Sequence, residues 1–497
     1  MKFWDVDYSN CNEFFKLAEP KDGCTKTIYI IFLPHSVMKS LDKKVLLTTP
    51  YRTKKEKYEY WGSNVSGFLR YTYDKQNSNG LRFLKKNIPE IDILEFPSQK
   101  EYRKSLKNDY DIVGFSFFTY QIPRIKEMVQ EAKKENDPEL WAGNYGALTY
   151  GMEDIFDKIF VGYSEEEMAE ELGTKIDKLK HPMIVDYVGT PIGIRGFPLG
   201  VLFTNRGCTQ NCKFCQTPIF CSEPYKVPIR SIEEVIKNYK QVGVNEIVIE
   251  DENFGMWKKH TEKIIDILDK HDMNWYPMTR IDLLDKKLDD WYEKGFSGTL
   301  IGVETLNQTS LDNIEKSIDV QKTLDVLERL EEKNSFVIGY YIIGFEEDTI
   351  SQIKKNIRKL NDYSLDLIQI CIITPLPRTP LWEDISEKYG IIEDDWSKWD
   401  TKHLVWDHPN IDQKDMDEVL EWGFREAYPK TKFFKSPVKY YLRKTDRFGH
   451  AKTQMKMIKD FIISNIGVEA KLDDENIDYR ETETDERKSK ISNVSQN

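Results

Sequence analysis

The sequence predicts an α/β protein built from two successive alternating runs, and two observations carry that prediction. Short apolar runs of strand length alternate with helix-like stretches from residue 44 to about 175, and again from about 200 to 381. Between them, apolar residues recur at helical spacing, as at Ile125, Met128, Val129 and Ala132. Strands that alternate with helices form parallel sheets. In the first run the strands are read at 45–49, 91–96, 111–116, 140–142 and 159–161. Pro50, Pro97, Gly143 and Gly162 stop four of them, and Pro123 opens a helix after the third. Such a sheet is wound on both faces and gathers ligands beyond its strand carboxyl ends, here Thr119, 144–146 and 162–164.

The stretch 188–200, rich in Pro and Gly, reads as a linker. The second run places strands at about 200–205, 246–249, 275–278, 298–302, 337–343 and 367–373. Helical stretches lie at 232–241, 260–271, 286–294, 310–313 and 350–360. Six β/α units suit a partial or complete barrel better than a second open sheet, although periodicity alone does not choose. After Trp396 the pattern turns helical and aromatic. Residues 471–490, with eight acids and five bases, read as a solvated tail, and the first 40 residues read as irregular apart from a strand-like run at 28–33. There is no internal repeat.

Composition narrows the classes further. The chain has 497 residues, with 72 bases against 84 acids and a net charge of −12. An apolar fraction of 39% excludes wholesale disorder. The acidic balance argues against a dedicated nucleic-acid binder. Seven cysteines, an odd number, follow an amino terminus (Met1-Lys2-Phe3-Trp4-Asp5) without the layout of an export signal. A disulfide framework therefore fits poorly, and a reducing, cytoplasmic setting with free thiolates fits better. The longest apolar runs, 27–33 and 336–345, fall short of the roughly 20 residues that span a bilayer. A soluble chain is expected, or one attached at most to a membrane surface.

Cys208-Thr209-Gln210-Asn211-Cys212-Lys213-Phe214-Cys215 concentrates three of the seven cysteines in one loop after a predicted strand. Three thiolates at this spacing suit an iron–sulfur cluster, and a four-iron cluster with three cysteine ligands leaves one iron open. The spacing alone also admits a zinc loop completed by Cys221 or a histidine.

This loop resembles that of the radical S-adenosylmethionine (SAM) superfamily: Cys-x3-Cys-x2-Cys, with the aromatic Phe214 before the third cysteine. Five further segments resemble the family in barrel order: Glu246–Phe254, Thr279-Arg280-Ile281-Asp282, Gly302-Val303-Glu304-Thr305, Gly339–Phe345 and Thr374–Pro380. The resemblance implies a partial (β/α)6 TIM-like barrel and a [4Fe–4S] cluster on Cys208, Cys212 and Cys215. Phe214, Asp251, Glu252, Arg280 and Glu304 then line the SAM site. Asp251 or Glu252 would take the SAM ammonium, Arg280 its carboxylate, and Glu304 would lie near the ribose. No residue is assigned as a catalytic acid or base. Arg378 departs from the pattern where glycine is usual, and Asn253 and Gly255 replace the usual threonines beside Phe254.

Residues 44–180 resemble the cobalamin-binding domain, Rossmann-like and doubly wound, that precedes this barrel in one subgroup. Asp111–Ser116, Trp141–Ala147 and Phe160–Glu165 carry the likeness. There is no histidine between His35 and His181, so the usual histidine ligand to cobalt is absent from the domain. Cobalamin would bind with water or nothing on its lower face; otherwise the domain shapes a substrate cleft. The resemblance thus divides the chain into an extension (1–43), a cobalamin-binding-like domain (44–180), the barrel (195–390), a helical region (391–468) and a disordered tail (469–497).

The implied activity is SAM cleavage to a 5′-deoxyadenosyl radical, followed by methyl transfer to an unactivated carbon of a lipid-like or other small molecule. Cyclisation or rearrangement without cobalamin is the alternative, followed by RNA modification, and then by a non-catalytic metal-binding protein. A reductant such as ferredoxin or flavodoxin is implied as partner. Residues 430–459, rich in bases around Phe433-Phe434 and Tyr440-Tyr441, suit a solvated helical face, or else a peripheral contact with an anionic membrane or acidic substrate. Cys221 and Cys371 read as core residues, and His403 and His408 as surface groups or the pocket mouth.

Overall fold

The computed structural model of the chain describes residues 41, 43–52, 78–189, 195–363 and 365–427. The expectations for residues 1–40, for the basic stretch 430–459 and for the tail lie outside them.

The first part is a five-stranded, wholly parallel sheet. Its elements in chain order are β1 (Val45–Thr48), α1 (Asn79–Asn87), β2 (Asp92–Leu94), α2 (Gln99–Leu106), β3 (Ile112–Ser116), α3 (Ile122–Glu135), β4 (Glu139–Gly143), β5 (Lys158–Ile159) and α4 (Glu165–Glu171). Alternation along the strands builds two cores. Leu46, Val113, Phe115 and Leu140 pack with Tyr102 of α2 and Ile125 and Met128 of α3. Val45, Leu47, Ile112 and Trp141 pack on the other face with Leu81 of α1 and Met168 of α4. Because neighbouring strand residues point to opposite faces, the sheet is doubly wound, as the alternation predicts. The strand order β2-β1-β3-β4-β5 reverses between β1 and β3. That reversal opens a crevice at the strand carboxyl ends.

The second sheet follows β6 (Ile184–Gly189), β7 (Arg195–Leu202), the short pair β8 (Asn205–Arg206) and β9 (Tyr225–Lys226), and the helix α5 (Thr217–Phe220) between them. It continues through α6 (Ile229–Gln241), β10 (Glu246–Ile249), α7 (Lys258–Lys270), β11 (Asn274–Thr279), α8 (Ile281–Glu293), β12 (Gly298–Glu304), α9 (Gln308–Asn313) and α10 (Val320–Glu332). Then come β13 (Phe336–Ile343), α11 (Ile350–Asn361), β14 (Leu367–Ile372), α12 (Pro380–Lys388) and α13 (Gln413–Ala427). Strands β7 and β10–β14 run parallel in chain order, and β6 adds an antiparallel edge. With β6 and β14 as its two edges, the barrel is partial.

Local signals fix the helix starts. Thr349 forms a capping box with Gln352, Asp319 caps α10, and Thr379 caps α12 with Pro380 at its first turn. Phe254, Trp275, Trp291 and Phe296 form one aromatic cluster, with ring centres 5.4 Å apart for Phe254–Trp291 and 5.5 Å for Trp275–Phe296. Such pairs add about 0.5–1.5 kcal/mol each beyond the area buried. Met416, Val419 and Phe424 of α13 join the same core, so this helix covers the barrel beside β14.

Two expectations change. The stretch 188–200 is not a linker but holds most of β7, paired antiparallel with β6. Pro198 is tolerated because β10 pairs with β7 only from Leu199 onward, so the missing N–H breaks no rung there. Among the described residues after 390, the α-helix is α13. Before it lie a bridge between Ile391 and Trp406 and a 3-10 turn at Trp396–Lys398.

His181 joins the two parts. Its Nε2 accepts the Phe203 N–H at 2.9 Å, its Nδ1 lies 2.6 Å from the Pro182 carbonyl, and Phe83 of α1 packs edge-on at 4.8 Å. Burial depresses its pKa to about 3. A depressed histidine contributes stability that is present above about pH 6.5 and is lost as pH falls, at up to about 1.4 kcal/mol per pH unit. The stability advantage of wild type over His181→Gln, measured by denaturant unfolding, should therefore shrink between pH 7.5 and 5.5. An advantage that stays constant would contradict this.

Candidate active site

The cysteine loop starts where β7 ends, and a buried carboxylate fixes that start. Asp251, two residues after β10, is 0% exposed and receives four donors. Thr204 N–H reaches it at 2.6 Å, Asn205 N–H at 3.1 Å and Asn205 Nδ2 at 2.5 Å, and the Thr204 hydroxyl donates as well. Burial pushes its pKa up to about 7 against the pull of those hydrogen bonds.

The next residue faces another way. One Glu252 oxygen accepts the Gly207 N–H at 3.0 Å, and the other accepts the hydroxyl of Tyr163, from the loop after β5. Its pKa is likewise pushed up to about 7 by burial. Gly207 has φ +77°, and a Cβ there would stand 2.7 Å from the Cys221 sulfur. Only glycine fits that turn.

Arg206 is 2% exposed, with its guanidinium 4.0 Å from the ring centres of both Phe83 and Tyr163 and 3.7 Å from Glu165. The first sheet therefore grips the chain just ahead of the cysteines. It does so again beyond them. Tyr145, after β4, stacks on Phe220 at 4.3 Å and its hydroxyl lies 3.2 Å from that of Thr217. A Cβ on Gly162 would stand 2.7 Å from the Phe220 carbonyl.

Burial raises all three cysteine pKa values, and each thiol raises another: Cys212 acts on Cys208, Cys215 on Cys212, and Cys208 on Cys215. Thr217 N–H donates to the Cys215 sulfur at 3.4 Å. The loop is anchored outward by Lys213 N–H on the Ile314 carbonyl (3.2 Å), Leu381 N–H on the Lys213 carbonyl (3.1 Å) and Gln216 Nε2 on the Pro377 carbonyl (3.0 Å). Among the described residues, no three His, Cys, Asp or Glu side chains are gathered as ligands of a single metal ion. Separate irons of a multi-iron cluster each need one thiolate, which three spaced thiols beside buried cations supply.

The cations come from two neighbouring elements. Arg280 caps α8, with Nε on Asp282 (2.8 Å), Nη2 on the Lys316 carbonyl (2.7 Å) and Nη1 on the Cys212 sulfur (3.9 Å). Lys316 is buried, pairs with Glu304 at the end of β12, and sits 5.7 Å from the Phe214 ring centre. Cys212, Phe214, Arg280 and Glu304 thus meet through Lys316. Asp251 does not join them; its oxygens are spent on Thr204 and Asn205. Glu304 has φ +60° and folds back over Gly302, where a Cβ would stand 2.1 Å from its Oε1.

Lys316, Tyr163 and Arg206 escape sequence reading. Lys316 follows a short polar helix and looks solvated, and the other two acquire meaning only through the packing of the two sheets. Cys221 is buried and Cys371 accepts a weak hydrogen bond from Gln369 within β14, so both behave as core residues. His408 is also buried, its Nε2 2.8 Å from the Phe345 carbonyl and its Nδ1 accepting Asn410 N–H; His403 pairs with Asp400. Neither belongs to the cluster of site residues.

Residues 202–387 match the family described as the radical SAM superfamily. An uncharacterised methyltransferase of Pyrococcus horikoshii is 25% identical over 48% of this chain and 53% of that protein. The bacteriochlorophyllide d C-8(2)-methyltransferase of Chlorobaculum tepidum is 26% identical over 60% of this chain and 73% of that protein. Among solved structures, the radical SAM methyltransferase TsrM of Kitasatospora setae, with cobalamin and a [4Fe–4S] cluster bound, aligns at TM-score 0.60. That alignment covers 85% of this chain and all (100%) of TsrM at 11% identity, a likeness of fold. The chain spans about half the length of the Pyrococcus relative. Barrel, cysteine loop and strand-end residues together define a radical SAM domain. Residues 202–387 therefore carry a radical SAM domain, and the chain has the fold of TsrM, a radical SAM methyltransferase solved with cobalamin and a [4Fe–4S] cluster bound.

Two outcomes follow from this geometry. Asp251→Asn turns one acceptor into a donor that faces donors, and should lower stability by about 1–3 kcal/mol in thermal or denaturant unfolding. Gly302→Ala displaces the carboxylate end of Glu304 and crowds the Lys316 ammonium, both ends of flexible side chains. It should leave the melting temperature nearly unchanged while weakening SAM binding about tenfold by calorimetry. Unaltered SAM affinity would show that the Glu304 position is immaterial.

Proposed function

We propose that this radical SAM enzyme transfers a methyl group, with cobalamin as its second cofactor, to an unactivated carbon of a hydrophobic, lipid-like small molecule. The observation that carries this reading is the abutment of the two sheets' carboxyl ends. Tyr145 and Tyr163 of the front domain touch Phe220, Thr217 and Glu252 at the cysteine loop. A cofactor held at the front crevice would therefore face the SAM site directly.

Cys208, Cys212 and Cys215 would hold a [4Fe–4S] cluster, and the buried, cation-flanked thiols suit that donor set. The cluster supplies the electron that cleaves SAM. Arg280 would pair with the SAM carboxylate through the guanidinium edge that now faces Cys212, and Glu252 with its ammonium. Glu304 would accept from the ribose. Asp251 acts one step removed, by holding Thr204 and Asn205 and so the start of the loop.

The front crevice suits a large flat cofactor. Phe118 is 45% exposed after β3, and its ring lies within 8° of parallel to Tyr120 and within 7° of Tyr145, each 6.3 Å away. Thr48 and Thr49 end β1 across the switch point. With no histidine from residue 36 to 180, cobalt would take no protein imidazole there. A hydrophobic substrate accords with the bacteriochlorophyllide d named for the Chlorobaculum relative. A small reductant protein such as ferredoxin or flavodoxin would supply electrons. No described helix is long and apolar enough to cross a membrane, and a cytoplasmic site, with peripheral membrane contact through residues 430–459, completes the proposal.

Anaerobic reconstitution tests it. The full chain should take up about four irons, form 5′-deoxyadenosine or S-adenosylhomocysteine from SAM, and retain a cobalamin spectrum through gel filtration. Cys212→Ala should abolish SAM turnover; full turnover in that variant overturns the cluster assignment. SAM cleavage without cobalamin retention would favour cyclisation or rearrangement instead.

A further inference from the structure

Lys316 sits in a turn built against the preferences of its backbone. Its neighbours Glu315 and Ser317 both have positive φ, 56° and 53°, a region that side chains other than glycine enter reluctantly. Four hydrogen bonds hold the turn. Lys316 N–H donates to the Leu311 carbonyl (3.1 Å) and Lys213 N–H to the Ile314 carbonyl (3.2 Å). Arg280 Nη2 donates to the Lys316 carbonyl (2.7 Å), and Gln308 Nε2 to the Ile318 carbonyl (3.2 Å). A lysine serving only to solvate a loop needs none of these. This one is 8% exposed, pairs with Glu304 and leans over Phe214.

Its charge stands beside the cysteine loop. The ammonium lies 5.7 Å from the ring centre of Phe214, which falls between Cys212 and Cys215 in the chain, and the Lys316 carbonyl holds Arg280, whose Nη1 reaches the Cys212 sulfur at 3.9 Å. Reduction of a thiolate-held cluster adds one negative charge in a water-poor pocket, where a nearby cation favours the reduced form.

We propose that Lys316 is a positioning residue that sets the charge of the cluster pocket and makes reduction of the bound cluster more favourable, with Glu304 as its counterweight. This rests on the reading of Cys208, Cys212 and Cys215 as cluster ligands. It adds a residue and a role to that reading.

The test is a midpoint potential, taken by EPR-monitored titration of the reconstituted full chain without SAM. Lys316→Met should make reduction about tenfold less favourable, a fall of about 59 mV for one electron. Glu304→Gln should move the potential the other way, and Lys316→Arg should stay near wild type. General loosening of the pocket would not shift the two neutralising variants in opposite directions. If Lys316→Met loses its iron, the rise in Glu304→Gln and the constancy of Lys316→Arg carry the test. Equal potentials in all variants, or shifts of the same sign, overturn the proposal. Failure of the wild-type chain to assemble a cluster overturns instead the reading beneath it.

Discussion

The site depends on one buried carboxylate. Asp251 collects four donors from Thr204 and Asn205, and so decides where the first barrel strand stops and the cysteine loop begins. Burial raises its pKa to about 7 despite those hydrogen bonds. The hydrogen bonds recover only part of the desolvation. A group kept at such a net cost serves geometry more than stability. The following residue, Glu252, uses the same strand end to tie Gly207 to Tyr163, so two successive acids fasten the loop to the barrel and then to the front domain.

The two sheets meet carboxyl edge to carboxyl edge, and that arrangement explains several local oddities. Arg378 occupies a left-handed backbone position (φ +67°) where glycine would be at ease. Its side chain donates to the Leu148 carbonyl at 2.7 Å and lies 5.3 Å from the Tyr150 ring centre, so the strained residue pins the end of the sixth barrel strand to the front domain. Gly255, beside Phe254, has φ +102° and leaves room for Trp291, which a threonine would crowd. The departures from the expected family pattern therefore sit where the domains or the barrel core close up.

Much of this was legible in the residues. The cysteine loop is contiguous, and Arg280 and Glu304 fall at the ends of apolar runs, so their place at one barrel face follows from strand length and connection. The doubly wound front sheet follows from the same periodicity. What could not be read depends on distant partners or on backbone conformation. Tyr163 and Glu252 are 89 residues apart, and Lys316 gains its role from the positive φ of its neighbours. Nor does spacing tell which of two adjacent acids will turn toward the loop. The linker reading of 188–200 failed because Pro198 falls just outside the parallel ladder with β10 and stands opposite Tyr187 in the edge pairing with β6, where proline is tolerated.

The proposed cluster would rest on Cys208, Cys212 and Cys215 with one iron open to SAM. Low-temperature EPR of the dithionite-reduced, iron-reconstituted chain, recorded with and without SAM, tests it most directly. A [4Fe–4S]⁺ signal whose g-values shift when SAM is added is the expected result. A reduced cluster whose spectrum is indifferent to SAM, or the absence of any such signal, would contradict it.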